Sequence, residues 1–312
     1  MIRVLKYSKG KQKKGDLSYS LNKDLAWVHC FNANLNDLNQ IAKKFSIPVS
    51  ELKHLFDSYE RPRIIMKKNY SLFIFRSILD DPKDKKITVP FILLVTKRYV
   101  ITLTTENPKS LSNLFDSFDL HDWQTISKSD FGVLIYTIFT NSLRDYEHYF
   151  EKLEEDVSEL EDYVIKAREK DLHYLSLLRR GVLFVGRSLS LNKDVIFTLQ
   201  AGKVPFVKSN DIFHELSAEM LQAINSVELI RDRITGVTDI YFTSTSNKLN
   251  EVMKSFTVIA SLLLLPMLIS GIYGMNVALP LDKQPHSFWY IILIMVASIF
   301  LMIFYFSRKK WL

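Results

Sequence analysis

Residues 252–276 read VMKSFTVIASLLLLPMLISGIYGMN, and up to Tyr273 the stretch is apolar almost throughout, with Lys254 its one charge. A helix over Val252 to Tyr273, rising about 1.5 Å per residue, is long enough to cross a hydrocarbon layer of roughly 30 Å. A second apolar run, Phe288 to Phe306, is also of spanning length, with Trp289 and Tyr290 at one end and Tyr305 and Trp311 at the other, as in interfacial aromatic belts. Two such runs at the end of the chain predict a transmembrane hairpin rather than the core of a soluble domain.

Reading towards the N-terminus, no proline occurs from Asp211 until Pro266, and Gly236 is the only glycine before Gly271. The whole segment predicts one helix of about sixty residues, on the order of 95 Å long, polar over its first two thirds. A single soluble domain cannot contain such a helix. Before it, Phe131 to Gln200 has the periodicity of two antiparallel helices, ended by Ala201 to Pro205. Their acids, concentrated in Glu151 to Asp162, read as a solvated helix face.

The N-terminal part predicts a compact α/β region. Candidate strands are Ile2 to Lys6, Ala26 to Cys30, Ile64 to Lys67, Ser71 to Leu79, Ile87 to Val95 and Tyr99 to Thr104. Pro90 places its strand at an edge or bulge. Leu35 to Phe45 and Ser50 to Phe56 read as helices, the second capped by Ser50, and Thr96, Lys97 and Arg98 read as a hairpin turn. The single cysteine, Cys30, lies in an apolar stretch and reads as buried and inert.

The net charge of +7 matters less than its placement. Lys9, Lys11, Lys13 and Lys14 form one basic cluster, and Arg308, Lys309 and Lys310 form another directly after the second apolar run. Both suit a cytoplasmic face, and the loop between the spans holds only Asp282 and Lys283, so both termini are expected inside. Met1 to Gly15 has no apolar core of a signal peptide. A nucleic-acid partner is not expected, because neither basic run is interleaved with aromatics or set in a known binding motif. No phosphate-binding Gly-rich lysine loop indicates an ATP-driven pump, and no nucleophile, base and oxyanion arrangement indicates an enzyme.

Steps of three and four residues from Asp239 pass through Thr243, Ser246, Asn250, Met253, Thr257, Ser261, Leu264, Leu268 and Gly271, a mean spacing of about 3.5 to 3.6. Hydroxyl and amide groups in such a stripe are poorly satisfied against lipid, and the second span offers only Ser298 in its middle. Several copies of the first span around one axis would satisfy the stripe and enclose a pore. A helix-dimer seam is the competing reading. Met253 and Leu264 would form apolar constrictions that gate by dewetting.

The first span ends in Ile272, Tyr273, Gly274, Met275 and Asn276, and here the chain resembles the CorA family of magnesium transporters, whose signature is Gly-Met-Asn at this position. Ser246-Asn247-Lys248, Asn250-Glu251-Val252-Met253-Lys254, Gly271-Ile272-Tyr273 and Lys309-Lys310-Trp311-Leu312 are similar to the same parts of the family. Glu60-Arg61-Pro62-Arg63 is similar to a segment of its soluble domain. The outer loop departs from it, with Ala278-Leu279-Pro280-Leu281-Asp282 where the family usually carries Met-Pro-Glu-Leu.

The resemblance implies a funnel-shaped homopentameric channel in the cell (inner) membrane. Its parts are residues 1–205 as a cytosolic α/β and helical regulatory domain, 206–251 as the stalk, 252–273 as the pore-lining span, 274–287 as the outer loop, 288–306 as the second span and 307–312 as a basic tail. The substrate is Mg2+, with Co2+ or Ni2+ as further cations, and Mg2+ is also the expected regulator. Magnesium releases its waters reluctantly, so a ring of neutral Asn276 amides suits a hydrated ion, and Gly274 would give the backbone freedom to turn out of the helix. Asp80, Asp81 and Asp84 in one loop, with Asp211 and Glu215 on the stalk, are the expected regulatory acids. Two readings compete: a zinc, cobalt or nickel transporter, and a non-conducting membrane-anchored scaffold.

Overall fold

The structure, a computed structural model, describes residues 1–18, 24–79, 87–106, 108–126, 130–164, 169–207, 211–280 and 284–311. Two compact units are present, one made of residues 1–163 and 169–238, the other built on residues 239–312.

The first unit is organised by a seven-stranded sheet of β1 (Ile2–Ser8), β2 (Lys11–Gly15), β3 (Leu25–Cys30), β4 (Arg63–Met66), β5 (Tyr70–Ile78), β6 (Thr88–Thr96) and β7 (Tyr99–Thr104), in the order β2-β1-β3-β7-β6-β5-β4. Only β3 and β7 pair in parallel; all other neighbours are antiparallel. Alternation of side chains sends Leu72, Ile74, Ile92, Leu94, Ile101 and Leu103 into one core, under α1 (Leu35–Phe45) and the short α2 (Val49–Leu52). Phe73, Phe75 and Phe91 point to the opposite face, where they pack on Phe139. Cover on both faces explains why β5 is buried along its whole length.

Four long or short helices lie beyond that second face: α3 (Lys109–Ser117), α4 (Leu120–Thr125), α5 (Gly132–Val164) and α6 (Glu169–Gln200). Phe115 and Phe118 meet Trp27 edge-on, and Trp123 stacks on Tyr7. The approach of Tyr149 to Gly181 and of Tyr146 to Asn192 runs α5 and α6 antiparallel, as expected. Cys30 is fully buried and its thiol is pushed up to about 12, chiefly by desolvation, in line with an inert core position.

Several local expectations need correction. Ser50 does not cap its helix: α2 begins at Val49 with Pro48 as an N-cap that supplies no side-chain bond, and the chain tightens into a 3₁₀ turn at Lys53–Phe56. The strand β2 was missed because its lysines hide the alternation of an edge strand, which charged residues suit. Helices α3 and α4 are too short to show a full hydrophobic period. The proline strand β6 is interior, not an edge. Pro90 lies opposite Arg76, beyond the point where β7 pairs. Its nitrogen faces the β7 side, past the end of that strand, so no ladder bond is lost; the Arg76 backbone faces the other way, past the end of β4, where its carbonyl accepts from Tyr146 Oη at 2.9 Å and Asn192 Nδ2 at 2.8 Å and its N–H donates to Asn192 Oδ1 at 3.0 Å.

Two further helices complete the fold, α7 (Ile212–Tyr273) and α8 (Ser287–Arg308), both long and apolar enough to cross a membrane. The 62 residues of α7 continue without interruption through Gly236 and Pro266.

Candidate functional site

The faces of α7 can be read from what buries them. In its first half Phe213, Leu216, Met220, Ala223, Val227, Ile230, Ile234, Val237 and Tyr241 are buried at alternating steps of three and four, the period of a helix-packing seam. Asp239 and Thr243 are each two residues from a member of that seam and, at 100° per residue, lie across the helix from it; both are exposed. The polar stripe therefore begins on the side of α7 that its own soluble unit leaves open.

Within the second unit a different face is shielded. Val258 is buried, while Leu262, Leu265, Ile269 and Tyr273 are half-buried, roughly 100° round the helix from Thr257. On α8 the matching face is Ile291, Met295, Ser298, Ile299, Met302 and buried Phe306. These two faces shield each other, since α8 is the other helix described in this unit. The stripe residues Ser246, Asn250, Met253, Thr257, Leu264 and Leu268 remain exposed, with Ser261 half-buried. Leu268 at 56 % exposure is matched by Leu263 at 62 % on the opposite face, so one chain leaves both faces of the span uncovered.

The hydroxyls of the stripe behave differently from the simple expectation. Thr243 Oγ1 donates to the Asp239 carbonyl at 2.9 Å, and Thr257 Oγ1 to the Met253 carbonyl at 2.8 Å. Ser298 Oγ likewise donates to Met295 at 2.6 Å. Each proton is satisfied inside its own helix, so these threonines do not need a second helix in order to tolerate lipid. What each still presents outward is an oxygen acceptor, the polarity that the hydration waters of a cation require.

At its outer end α7 stops at Tyr273. Gly274 N–H donates to the Ser270 carbonyl at 2.9 Å and Met275 N–H to the Ile272 carbonyl at 3.1 Å, closing the helix as the chain turns away. Gly274 has no left-handed φ. Its need for glycine is steric, because a Cβ there would stand 3.2 Å from the Ser270 carbonyl oxygen. Met275 and Asn276 are exposed at the turn. Leu264, Met267, Leu268, Gly271, Ile272 and Met275 line an open apolar groove of about 370 Å³ just below.

Trp311 was read from sequence as an interfacial aromatic, but its position is more specific. Its ring stacks on Phe306 at 5.7 Å, and it lines a cavity of about 550 Å³ together with Asn250, Met253 and Thr257 of the stripe. A terminal residue so far along the chain gives no local signal of that contact.

The expected regulatory acids divide. Asp80, Asp81 and Asp84 lie outside the described residues. Asp211 and Glu215 are both exposed at the start of α7, and no three acidic, histidine or cysteine side chains converge to hold a metal among the described residues. The described residues of one chain thus offer at most part of such a site. Glu215 does have acidic neighbours that sequence reading missed. The carboxyl of Glu219 is raised by burial and by the nearby charges of Glu215 and Glu147, with Arg144 opposing. The Glu215–Glu219 half of this cluster is legible as an i, i+4 pair; Glu147 comes from α5 and is not.

A soluble α/β unit, a long helix leading into the first of two apolar C-terminal helices, and an exposed Gly-Met-Asn turn define a class of membrane transporter. The profile of the family described as CorA-like Mg2+ transporter protein matches residues 22–309, and the chain belongs to that family. It is 27% identical over 292 residues to the cobalt/magnesium transport protein CorA of Methanocaldococcus jannaschii, covering 92% of each chain. To the cobalt/magnesium transport protein CorA of Thermotoga maritima it is 24% identical over 298 residues, covering 92% of this chain and 83% of that one. The complete structure of the CorA magnesium transporter from M. jannaschii superposes with a TM-score of 0.87 at 26% identity, covering 100% of this chain and 99% of that one.

Proposed function

We propose that this protein is a magnesium channel that passes hydrated divalent cations down their electrochemical gradient into the cytoplasm, with Co2+ and Ni2+ as further substrates. The observation that carries this reading is the uninterrupted helix α7, whose acceptor stripe lies on a face its own chain leaves uncovered and whose end exposes Asn276. A homopentamer in the inner membrane, funnel-shaped and with both termini cytoplasmic, would bring the stripes together around one axis. Residues 206–251 would form the stalk, 252–273 the pore-lining span and 288–306 the outer span, with 307–312 as a basic cytosolic tail.

In this arrangement Thr257 and Thr243 oxygens accept hydrogen bonds from the ion's water shell, while Met253, Leu264 and Leu268 form the apolar constrictions. Gly274, Met275 and Asn276 form the outer mouth, where a neutral amide binds hydration water without the deep well of a carboxylate. A divalent ion gains about 4.6 kcal/mol per 100 mV on entering a negative interior, which is sufficient drive without a coupled reaction. The shared acidic patch of Asp211, Glu215, Glu219 and Glu147, completed by a neighbouring subunit, is the proposed seat of regulation by Mg2+. A cation there would offset the mutual repulsion and hold the closed form.

Flux into liposomes holding the purified protein tests the assignment. Selective Mg2+ entry blocked by cobalt(III) hexammine, which mimics a fully hydrated ion, is the expected result. Preference for Zn2+ would favour a zinc transporter, and absence of any cation flux would favour a scaffold.

A further inference from the structure

The first unit contains a buried cation that makes no ion pair among the described residues. Arg76 on β5 is only 9 % exposed. Its Nε donates to Thr88 Oγ1 at 3.0 Å, one terminal nitrogen donates to the carbonyls of Ser58 at 3.0 Å and Glu60 at 3.1 Å, and the other donates to the Thr88 carbonyl at 2.6 Å. Every acceptor is neutral. The nearby acids are engaged elsewhere: Glu60 bonds His54 and Arg63, and Asp57 accepts the Tyr59 N–H at 2.9 Å. A guanidinium held by neutral dipoles keeps much of its charge in a poorly solvated place, and among the described residues one of its five N–H donors has no acceptor.

Arg76 opens onto a cavity of about 340 Å³ beneath α6. Arg61 and Arg187 line the same cavity, and their side chains make no hydrogen bond or ion pair among the described residues. Burial chiefly, with a smaller effect of the positive charge of Arg187, holds the Arg76 guanidinium below its ordinary value, against the opposing influence of Tyr146 and Asp57. Three guanidinium groups thus converge on one cavity, and the one carboxylate among its described lining residues, Glu60, is bonded to His54 and Arg63. The rest of the wall is mixed: Ile87, Phe184, Leu191 and Tyr59 give apolar and aromatic surface, and Ser58, Thr88, Ser188 and Glu60 are polar.

We propose that this cavity binds an organic phosphate, with Arg76, Arg187 and Arg61 holding the phosphate and Phe184 and Tyr59 taking its ring or apolar part. Guanidinium groups pair with phosphate oxygens through parallel N–H bonds, and three of them match a dianion better than a single carboxylate. The wall opposite the arginines gives the organic part an apolar surface and so separates such a ligand from inorganic phosphate. The cavity lies within the soluble unit, and the proposal stands whether or not the pore reading holds.

Calorimetric titration of the full chain in detergent, without divalent cations, tests it with AMP, inorganic phosphate and adenosine as probes. AMP is expected to bind in the micromolar to submillimolar range, inorganic phosphate at least about tenfold more weakly, and adenosine not at all. Arg187→Gln and Arg61→Gln, both at the cavity rim and clear of the Arg76 hydrogen bonds, should each weaken AMP by about tenfold or more and flatten its salt dependence. Absence of AMP binding up to about 10 mM overturns the proposal. So does AMP affinity that is unchanged in the double variant, and equal affinity for AMP and inorganic phosphate overturns the organic part.

Discussion

Strand β5, apolar but for Ser71, Arg76 and Ser77, and the C-terminal third of α7, apolar almost throughout, meet opposite fates. From Tyr70 to Ile78 every residue of β5 is buried by partners within the chain. From Val252 to Tyr273 only Val258 is, and two of the three helix faces stay open. The difference teaches where each finds its solvent. The strand needs nothing beyond its own fold, whereas the helix leaves two faces to be covered from outside the chain, which the proposed assembly does with lipid on one side and further copies on another.

That contrast can be broken most forcefully at Asn192, which holds both backbone groups of Arg76 past the end of β4. Asn192→Ala removes three hydrogen bonds at a buried site and is expected to destabilise the soluble unit by about 2–4 kcal/mol. Thermal unfolding of the full chain should show it, with the apolar helices still inserted. An unchanged midpoint would mean that the strand is not secured from within in the way described.

Next in size is Asn276→Ala. Selective Mg2+ flux should fall by about tenfold or more while the oligomer and the unfolding midpoint stay as in the parent, because the side chain is exposed and makes no hydrogen bond among the described residues. Asn276→Asp should also slow transport by holding the ion too tightly. Normal uptake by Asn276→Ala would remove this residue from the mouth.

The two open faces of the span give a smaller, severalfold effect. In cysteine scanning, Thr257→Cys and Leu268→Cys should react faster with a soluble thiol reagent than Ile259→Cys and Leu263→Cys, which would face lipid or a neighbour. Cys30, buried with its thiol at about 12, does not compete, and a Cys30→Ser background provides the control. Faster reaction at Ile259 and Leu263 would put the pore on the other face.

The smallest effect concerns Glu219. A carboxyl raised above its unfolded value lowers stability where it is ionised, above its folded pKa, and that penalty vanishes once the pH falls below the unfolded value. Glu219→Gln should therefore raise the unfolding midpoint slightly at neutral pH without Mg2+, and lose the advantage near pH 4. If Glu219→Gln is equal to or less stable than the parent at neutral pH, the acids of this patch do not strain one another.

Much of this protein was legible before any coordinates. The two apolar helices, the length of α7 and the antiparallel pair α5 and α6 follow from hydrophobic runs and from the placing of Gly and Pro. The strands follow within a residue or two, because β-branched and aromatic runs between polar breaks have few other stable outcomes. The Gly-Met-Asn turn and the stripe above Thr257 were visible for the same reason, as local features of one continuous helix. Sequence could not give what depends on residues far apart in the chain meeting. The lysines of β2 conceal a strand that exists through its pairing with β1, Pro90 sits inside the sheet because its nitrogen faces the β7 side past the end of that strand, Asn192 and Tyr146 come from distant helices to hold Arg76 past the end of β4, and Glu147 joins Glu219 only across two helices. Periodicity and propensity act over a few residues and determine the elements; which polar groups satisfy, repel or confront one another is decided by tertiary packing, because electrostatics and hydrogen bonds depend on distance in space and not along the chain.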